Sequence, residues 1–411
     1  MRERLTDPVQ RSGLLIVVTT AVTSGLGFAY WLIAAHLVAP AALGLAAAAL
    51  SAMTLASFAS NLGGNSALLQ LLPAAAPDQR SSLLGAVLSL GAGAGAIGGA
   101  VAVVLMSLDA GTTLTTSQGA LLLVGVSLQT TQVCLAHTWV ALGRSHVMLV
   151  TESVFAVSKL LLLGVAAGHG STGLLCGWTA GSLLSCCVSL GLLEVLVSLR
   201  PSLSGFRKRL TDVRSVLAGN HVVNLGNTLP VYLLPALVAA RLGPSQAAYF
   251  YPAWQIGSFF YVVAASAGSA LQAEGARAPA HLLSSARRAA TTSCLLLVPL
   301  GLLVALVGRR VLAAYGPGYV VAYGLLICMS CAALPDVVTN LHGAVLLTTR
   351  RFGAAVGLSW VSALLKLALT WVLLSDLGLA AAGVAFLLAQ CVCGCWCAFD
   401  HRRQLRLTST A

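Results

Sequence analysis

Long apolar runs recur along almost the whole chain, and they limit what it can fold into more than any other feature. About twelve of them reach the roughly 20 residues that a helix needs to cross a bilayer. Backbone groups in hydrocarbon must be paired within their own segment, so runs of this length predict helices. The approximate limits of the predicted spans are 13–37, 41–72, 82–107, 118–142, 146–168, 171–198, 218–240, 246–272, 287–308, 319–347, 353–375 and 378–398.

Composition favours a chain that lies mostly in lipid. Hydrophobic residues make up 58% of the 411 residues and charged residues only 8%, whereas a soluble domain carries roughly 25% charge. So few charges cannot cover a water-exposed surface, which predicts an all-α integral membrane protein. The cysteines fall in apolar runs, where we interpret them as packing residues, and we expect no metal site. No basic patch interleaved with aromatic residues occurs, so we expect no nucleic-acid partner.

The distribution of basic residues predicts the orientation of the spans. If the spans alternate, 18 of the 23 Lys and Arg residues fall on the side of the N-terminus and three on the other side, with two inside spans. Positively charged loops stay in the cytoplasm. Both termini are therefore predicted to be cytoplasmic.

The chain repeats its own pattern after about 205 residues. Pro40 and Pro244 open corresponding apolar runs 204 positions apart, and Lys159 and Lys366 lie 207 positions apart. Six spans before the midpoint and six after it predict two six-helix lobes, related by an internal repeat, around a central cavity. The predicted domains are an N-terminal lobe (1–199), a basic cytoplasmic linker (200–214) and a C-terminal lobe (215–411).

Two lysines lie inside predicted spans, Lys159 in the fifth and Lys366 in the eleventh. A lysine at the bilayer centre costs about 2.5–3.5 kcal/mol, so both should face protein or water rather than lipid. Glu152 lies two turns before Lys159 on the same face. One interpretation is a cationic cavity suited to an anionic head group such as a pyrophosphate. The alternative is that each lysine snorkels or pairs with a carboxylate such as Glu152 or Asp336.

A stripe of asparagines marks the seventh span. Asn220, Asn224 and Asn227 recur on one face, just before Pro230 and Pro235. Such a stripe suits the wall of an aqueous cavity, and the prolines suit a bent helix. Hydrogen bonding between helices is the alternative explanation.

Four further residues are candidates for coupling or gating. Asp336 follows Pro335 in the tenth span, with Asn340 one turn later, and such a carboxylate can exchange a proton or bind Na⁺. It could equally cap backbone N–H groups freed by the proline. His36 and Arg241 belong to the repeated motif near the outer ends of the first and seventh spans. A gate, a contact to a head group and a topogenic role all remain open for this pair.

Motifs typical of enzymes do not account for this chain. The Gly-Ala-Gly-Ala-Ile-Gly stretch at 93–98 matches a dinucleotide fingerprint as text, yet it lies in an apolar run without a preceding strand. We interpret its small residues as permitting close helix packing. Walker A, HExxH and GxSxG motifs are absent from the sequence.

Three short elements stand out: the Ala-x-Leu-x-x-Pro element ending at Pro40, the Asn-Leu-Gly-Gly-Asn-Ser stretch at 61–66 and the Ala-Arg-Leu-Gly-Pro copy that leads into Tyr249. They resemble elements of the polysaccharide flippases, a family of the multidrug/oligosaccharidyl-lipid/polysaccharide exporter superfamily. The resemblance covers essentially the whole chain, although His36 and Val38 stand where the family often carries Arg and Gly. It implies two six-helix lobes that move an undecaprenyl-pyrophosphate-linked oligosaccharide to the outer leaflet by alternating access.

We therefore expect a lipid-linked oligosaccharide flippase of a bacterial inner membrane that serves cell-surface polysaccharide assembly. We expect no enzymatic activity and no cofactor, with coupling to H⁺ or Na⁺ left open. Expected partners are the lipid-linked substrate, membrane lipid, and a polymerase and glycosyltransferases of the same pathway. One alternative is a cation-coupled multidrug antiporter, although the first span lacks a carboxylate. Another is a membrane-embedded polymerase or glycosyltransferase, although the longest outer loops, 109–117 and 309–318, are short.

Overall fold

The computed structural model describes residues 8–73, 75–108, 114–204, 219–277 and 282–409, which are helical almost throughout and contain no strand. These residues form twelve long α-helices, one short α-helix (α3) and two 3₁₀ helices, Ala167–His169 and Pro317–Ala322. The helices are α1 (Pro8–Leu37), α2 (Pro40–Ser60), α3 (Gly64–Leu71), α4 (Pro77–Ser107), α5 (Thr116–Ala141), α6 (Ser145–Ala166), α7 (Gly170–Val197), α8 (Gly219–Leu242), α9 (Pro244–Arg277), α10 (Leu282–Ala313), α11 (Tyr323–Thr348), α12 (Phe352–Leu377) and α13 (Ala380–Ser409).

The lengths and surfaces of these helices suit a bilayer. Ten helical stretches in the described ranges are long and apolar enough to cross a membrane, and one of them, the 53-residue Ser145–Val197, contains both α6 and α7. On α10, Leu295, Leu302 and Leu306 are exposed, as expected for side chains that face lipid tails. The protein is thus a multi-pass membrane protein.

The chain forms two compact units, Met1–His221 and Val222–Ala411. In the first unit α5 packs against α4 and α7, and α7 packs against α6. In the second unit α11 packs against α10 and α13, and α13 packs against α12. The second unit thus repeats the packing of the first, with α10 to α13 in the places of α4 to α7. This repeat confirms the predicted fold of two repeated helical lobes. Of the predicted linker, 200–214, the structure describes residues 200–204, and the rest lies outside the described residues.

Prolines define where several helices begin. Pro40, Pro77 and Pro244 each occupy the first position of a helix, where the missing N–H would have no intrahelical acceptor. The start of α5 is fixed by a capping box. Thr115 accepts a hydrogen bond from the backbone N–H of Gln118, whose side chain accepts one from the Thr115 N–H.

The long apolar run at 41–72 is two helices rather than one. Leu62 and Gly63 have φ angles of 48° and 78°, so the chain turns through left-handed conformations between α2 and α3. The Asn61 side chain stabilises this turn. Its Oδ1 accepts from the Asn65 N–H at 3.2 Å, and its Nδ2 contacts Sγ of Cys134 on α5 at 3.3 Å.

Small residues bring α4 and α5 into close contact. A Cβ atom added at Gly95 would lie 2.7 Å from Cα of Ser127, and one added at Gly99 would lie 2.8 Å from Cα of Leu123. The stretch 93–98 therefore serves helix packing, as its composition predicts.

Helix α8 continues through two prolines. Pro235 has no N–H to donate to the carbonyl of Val231, four residues earlier. The indole N–H of Trp254 on α9 donates to that carbonyl at 3.0 Å. A side chain of the neighbouring helix thus satisfies the backbone group that the proline frees.

Candidate functional site

Lys159 is buried inside the first unit, with 5% of its surface exposed. Helical side chains point toward the N-terminus of their helix, so Lys159 reaches back over Phe155, one turn earlier on α6. Its Nζ lies 3.9 Å from the ring centroid of Trp178 on α7, 4.5 Å from that of Phe155 and 5.4 Å from that of Tyr30 on α1. We call these three rings the aromatic cage. Ring faces attract cations, and the cage therefore holds the ammonium group in place of water.

Glu152 lies two turns earlier on the same helix and faces α5. Nε2 of Gln132 donates to both of its carboxylate oxygens, each at 3.3 Å. In the described part of the chain, Lys159 forms no close ion pair with Glu152 or any other carboxylate. The two residues share a face, as their spacing predicts, but the lysine contacts rings instead of the acid.

Lys366 repeats this arrangement in the second unit. It is 9% exposed, and its Nζ lies 4.7 Å from the ring centroid of Phe386 on α13. Trp178 and Phe386 lie 208 positions apart and the two lysines 207 apart. Each unit thus places one buried lysine against an aromatic ring of its own last long helix.

Asp336 is buried on α11 near Lys366 and accepts hydrogen bonds from two amides. Nε2 of Gln390 on α13 donates to Oδ1 at 2.5 Å, and Nδ2 of Asn340 donates to Oδ2 at 2.9 Å. The Thr339 hydroxyl lies 2.9 Å from Oε1 of Gln390 and completes the network. Helix α11 continues past Pro335, and the carboxylate binds side chains of α11 and α13.

The asparagine stripe lies near the start of α8. Asn224 and Asn227 are exposed on the surface of the second unit, on the same face of the helix. Asn220 lies in the first turn of α8, and its side chain falls outside the described residues. Two amide side chains are therefore available to a polar ligand, and their predicted role in a cavity wall stays a prediction.

His36 and Arg241 lie near the C-terminal ends of α1 and α8. His36 is exposed, and its Nδ1 lies 2.8 Å from the carbonyl oxygen of Leu32 one turn earlier. Arg241 is exposed, and its guanidinium carbon lies 4.9 Å from the ring centroid of Trp371 on α12. A gate, a head-group contact and a topogenic role stay the predictions for this pair.

Sequence reasoning missed the partners of the buried charges. The rings of Trp178 and Phe386 and the amides of Gln132 and Gln390 were not singled out for these contacts. The repeat contained a signal for the rings, because an aromatic residue follows each lysine at nearly the same distance. No comparable signal marks Gln390, since nothing in the chain ties it to an aspartate 54 positions earlier.

A second polar cluster lies where α11, α12 and α13 meet. Asp400 accepts two hydrogen bonds from Arg351, at 2.8 and 3.1 Å, and lies 3.1 Å from Nε2 of His342. These hydrogen bonds raise the pKa of the Arg351 guanidinium, so it stays cationic. The first unit has a simpler counterpart, an ion pair between Arg200 and Glu194.

Several solved structures have a fold similar to that of this chain. The chain is similar to the lipid II flippase MurJ in an inward closed conformation, with 13% identity, a TM-score of 0.73, and coverage of 95% of this chain and 87% of that one. It is similar to an inward-facing multidrug resistance MATE transporter of the MOP superfamily, with 15% identity, a TM-score of 0.69, and coverage of 93% and 94%. A MOP superfamily transporter from Pyrococcus furiosus has 14% identity, a TM-score of 0.62, and coverage of 96% and 95%.

Neither a protein-family model nor a curated protein sequence matches the chain. The structural similarity extends over nearly the whole chain, although few residues are identical. The protein therefore has the fold of the MOP superfamily transporters.

Proposed function

We propose that the protein is a transporter that moves a lipid-linked oligosaccharide from the inner to the outer leaflet of a bacterial inner membrane by alternating access. The main support is the pair of buried lysines, Lys159 and Lys366, at repeat-related positions and outside close ion pairs with carboxylates in the described ranges. One similar structure is named as a lipid II flippase. A diphosphate head group needs cations to replace its hydration when it enters a low-dielectric protein.

The aromatic cage surrounds the Lys159 amine where no carboxylate forms a close ion pair with it. Ring faces attract the ammonium electrostatically, but more weakly than a diphosphate would. An incoming head group can therefore draw the lysine from the cage. Lys366 has a smaller ring environment, and each lysine interacts electrostatically with a carboxylate of its own unit, Asp336 or Glu152.

The remaining parts of this proposal concern the sugar and the pathway. Asn224 and Asn227 supply amide donors and acceptors of the kind that bind sugar hydroxyls. The substrate proposed is an undecaprenyl-pyrophosphate-linked oligosaccharide for cell-surface polysaccharide. Glycosyltransferases would make it on the cytoplasmic side, and a polymerase would use it on the other side, with both termini of this chain in the cytoplasm.

The second candidate is a cation-coupled multidrug antiporter, which the Asp336 network supports. A buried carboxylate between two helices, hydrogen-bonded to Gln390 and Asn340, can take up a proton or a cation as the helices move. The multidrug transporter among the similar structures adds to this support.

The test compares export in cells that carry Lys159→Met, Lys366→Met or both at equal protein levels. We expect each single change to reduce translocation by about tenfold or more and complete lipid-linked units to accumulate in the inner leaflet. Arg200→Met is the matched control, because it removes one exposed positive charge elsewhere. Normal outer-leaflet units in the double variant would contradict the flippase proposal. Extrusion of cationic dyes that depends on Asp336 would instead favour the antiporter.

A further inference from the structure

The exposed face of α10 changes in chemistry along its length. Its first turns carry Arg287 and Arg288, and both side chains are exposed. Further along the helix Leu295, Leu302 and Leu306 are also exposed, and we call these three residues the leucine face. Positions 288, 295, 302 and 306 recur at helical spacing, so the basic and apolar groups form one continuous surface.

The spacing of the basic residues on α10 matches the thickness of a bilayer. Arg288 and Arg309 lie 21 positions apart in the chain. At a rise of about 1.5 Å per residue this separation is about 32 Å along the helix. The hydrocarbon core of a bilayer is about 30 Å thick. Arg287 and Arg288 therefore lie at the depth of the lipid head groups of one leaflet, and the leucine face lies among the acyl chains.

An open cavity lies at this basic end of α10. It has a volume of about 920 Å³, which is within the range of roughly 300–1,000 Å³ that is typical of ligand pockets. Its lining consists of basic and hydroxyl side chains, namely Ser284, Arg287, Arg288, Thr291 and Thr292. The cavity is therefore suited to an anionic ligand.

The two arginines of this cavity are not neutralised within the described part of the chain. No described carboxylate forms an ion pair with Arg287 or Arg288. Nη2 of Arg288 donates to Oγ of Ser285 at 3.2 Å, but a guanidinium carries five N–H donors, so others remain for a ligand. Neighbouring guanidinium groups bind phosphate well, because each can donate two parallel hydrogen bonds to its oxygens.

We propose that Arg287, Arg288 and Thr292 bind the phosphate of an anionic phospholipid of the surrounding membrane, whose acyl chains lie along the leucine face. Thr292 lies one turn beyond Arg288, between the basic and the apolar parts of this surface. A zwitterionic lipid carries an ammonium group beside its phosphate, which two arginines repel, so an anionic head group is favoured. The ligand is a component of the bilayer and not the transported molecule, so this proposal does not rest on the proposed function.

The corresponding helix of the first unit, α4, provides an internal comparison. Its first two turns contain one arginine, Arg80, which is half-buried and donates from Nε to the carbonyl oxygen of Ala75 at 3.1 Å. The leucines that follow, Leu83 and Leu84, are buried rather than exposed. The start of α4 therefore presents neither a basic pair nor an apolar face to a lipid, and we assign the phospholipid to the second unit.

The experiment measures thermal unfolding of the purified full-length protein in detergent micelles that contain either phosphatidylglycerol or phosphatidylcholine with identical acyl chains. We expect phosphatidylglycerol to give a Tm about 2 °C or more above that in phosphatidylcholine, because a ligand of the folded state stabilises it. The double variant Arg287→Gln/Arg288→Gln should lose this difference. The matched control is Arg309→Gln/Arg310→Gln, which removes the same charge from the opposite end of the same helix and should retain it.

Three results would overturn the proposal. The first is an equal Tm of the native protein in the two lipids. The second is the same response in both double variants, which would assign the effect to net charge rather than to a site. The third is an equal rise in Tm with inorganic phosphate alone, which would assign the cavity to a soluble anion.

Native mass spectrometry keeps the test decisive if a variant is too unstable to melt cooperatively. We expect the native protein and Arg309→Gln/Arg310→Gln to retain a phosphatidylglycerol molecule that Arg287→Gln/Arg288→Gln releases. Equal retention by all three proteins would contradict the proposal. Because neither measurement involves transport, a negative result leaves the flippase proposal standing.

Discussion

Each unit contains a buried lysine and a carboxylate, which is half-buried in the first unit and buried in the second, and the two units hold these groups in different ways. In the first unit Lys159 lies in a cage of three rings, and Glu152 is held by one glutamine through two hydrogen bonds of 3.3 Å. In the second unit Lys366 contacts one ring, and Asp336 accepts shorter hydrogen bonds from two amides. The first unit therefore makes more contacts to its lysine than the second unit does, and the second unit makes shorter hydrogen bonds to its carboxylate than the first unit does. A duplicated framework thus keeps its helices while its polar interior diverges.

The largest expected effect comes from removing an amide partner of the second carboxylate. Gln390→Leu leaves Oδ1 of Asp336 buried without its donor, and we expect a loss of about 3 kcal/mol in the free energy of unfolding. Gln132→Leu should cost only about 1 kcal/mol, since it also removes an unpaired buried oxygen. Thermal melting in detergent measures both variants. Equal losses would mean that the two carboxylates are held alike.

The next effect separates the two lysines. Lys366→Met removes the positive charge near Asp336, so we expect a loss of about 2 kcal/mol in the free energy of unfolding. Lys159→Met should change that free energy by less than about 1 kcal/mol, because Glu152 is only half-buried and keeps its Gln132 donor, and the thioether also packs well against the rings. The same melting measurements on purified protein decide this point. A larger loss for Lys159→Met would show that the cage contributes more than the ionic environment of Lys366.

The smallest effect concerns the polar clusters at the ends of the units. Asp400→Asn weakens contacts to both Arg351 and His342, and we expect a loss of about 1–2 kcal/mol because Arg351 is 41% exposed. Glu194→Gln should leave Tm unchanged, since Arg200 is 80% exposed and its ion pair is in solvent. If the two variants had the same Tm, the contacts of Asp400 would be no more stabilising than the ion pair between Arg200 and Glu194.

Much of the helical framework could be predicted from the sequence. Each of the twelve apolar runs corresponds to a long helix, because a bilayer allows few other ways to pair a backbone in hydrocarbon. The run at 41–72 is longer than one span needs, and a tilt, a kink or an extension beyond the hydrocarbon would each accommodate it. Hydropathy does not detect a turn that contains Leu62, and only the φ angles of Leu62 and Gly63 establish it.

The contacts of the candidate site were harder to predict than the positions of its charges. The sequence marks Lys159, Lys366 and Asp336 because charges are rare in apolar runs. It does not mark their neighbours, since rings and amides are common in membrane helices and their contacts join helices far apart in the chain.

The aromatic cage also makes Lys159 observable. Trp178 is fluorescent, and the emission of an indole changes when a charge over its ring moves away. If the ammonium leaves the cage to meet a head group, the light from Trp178 should change, and the signal should vanish in Trp178→Phe. The transport cycle could then be followed in real time through the wavelength and intensity of tryptophan emission, without an attached dye.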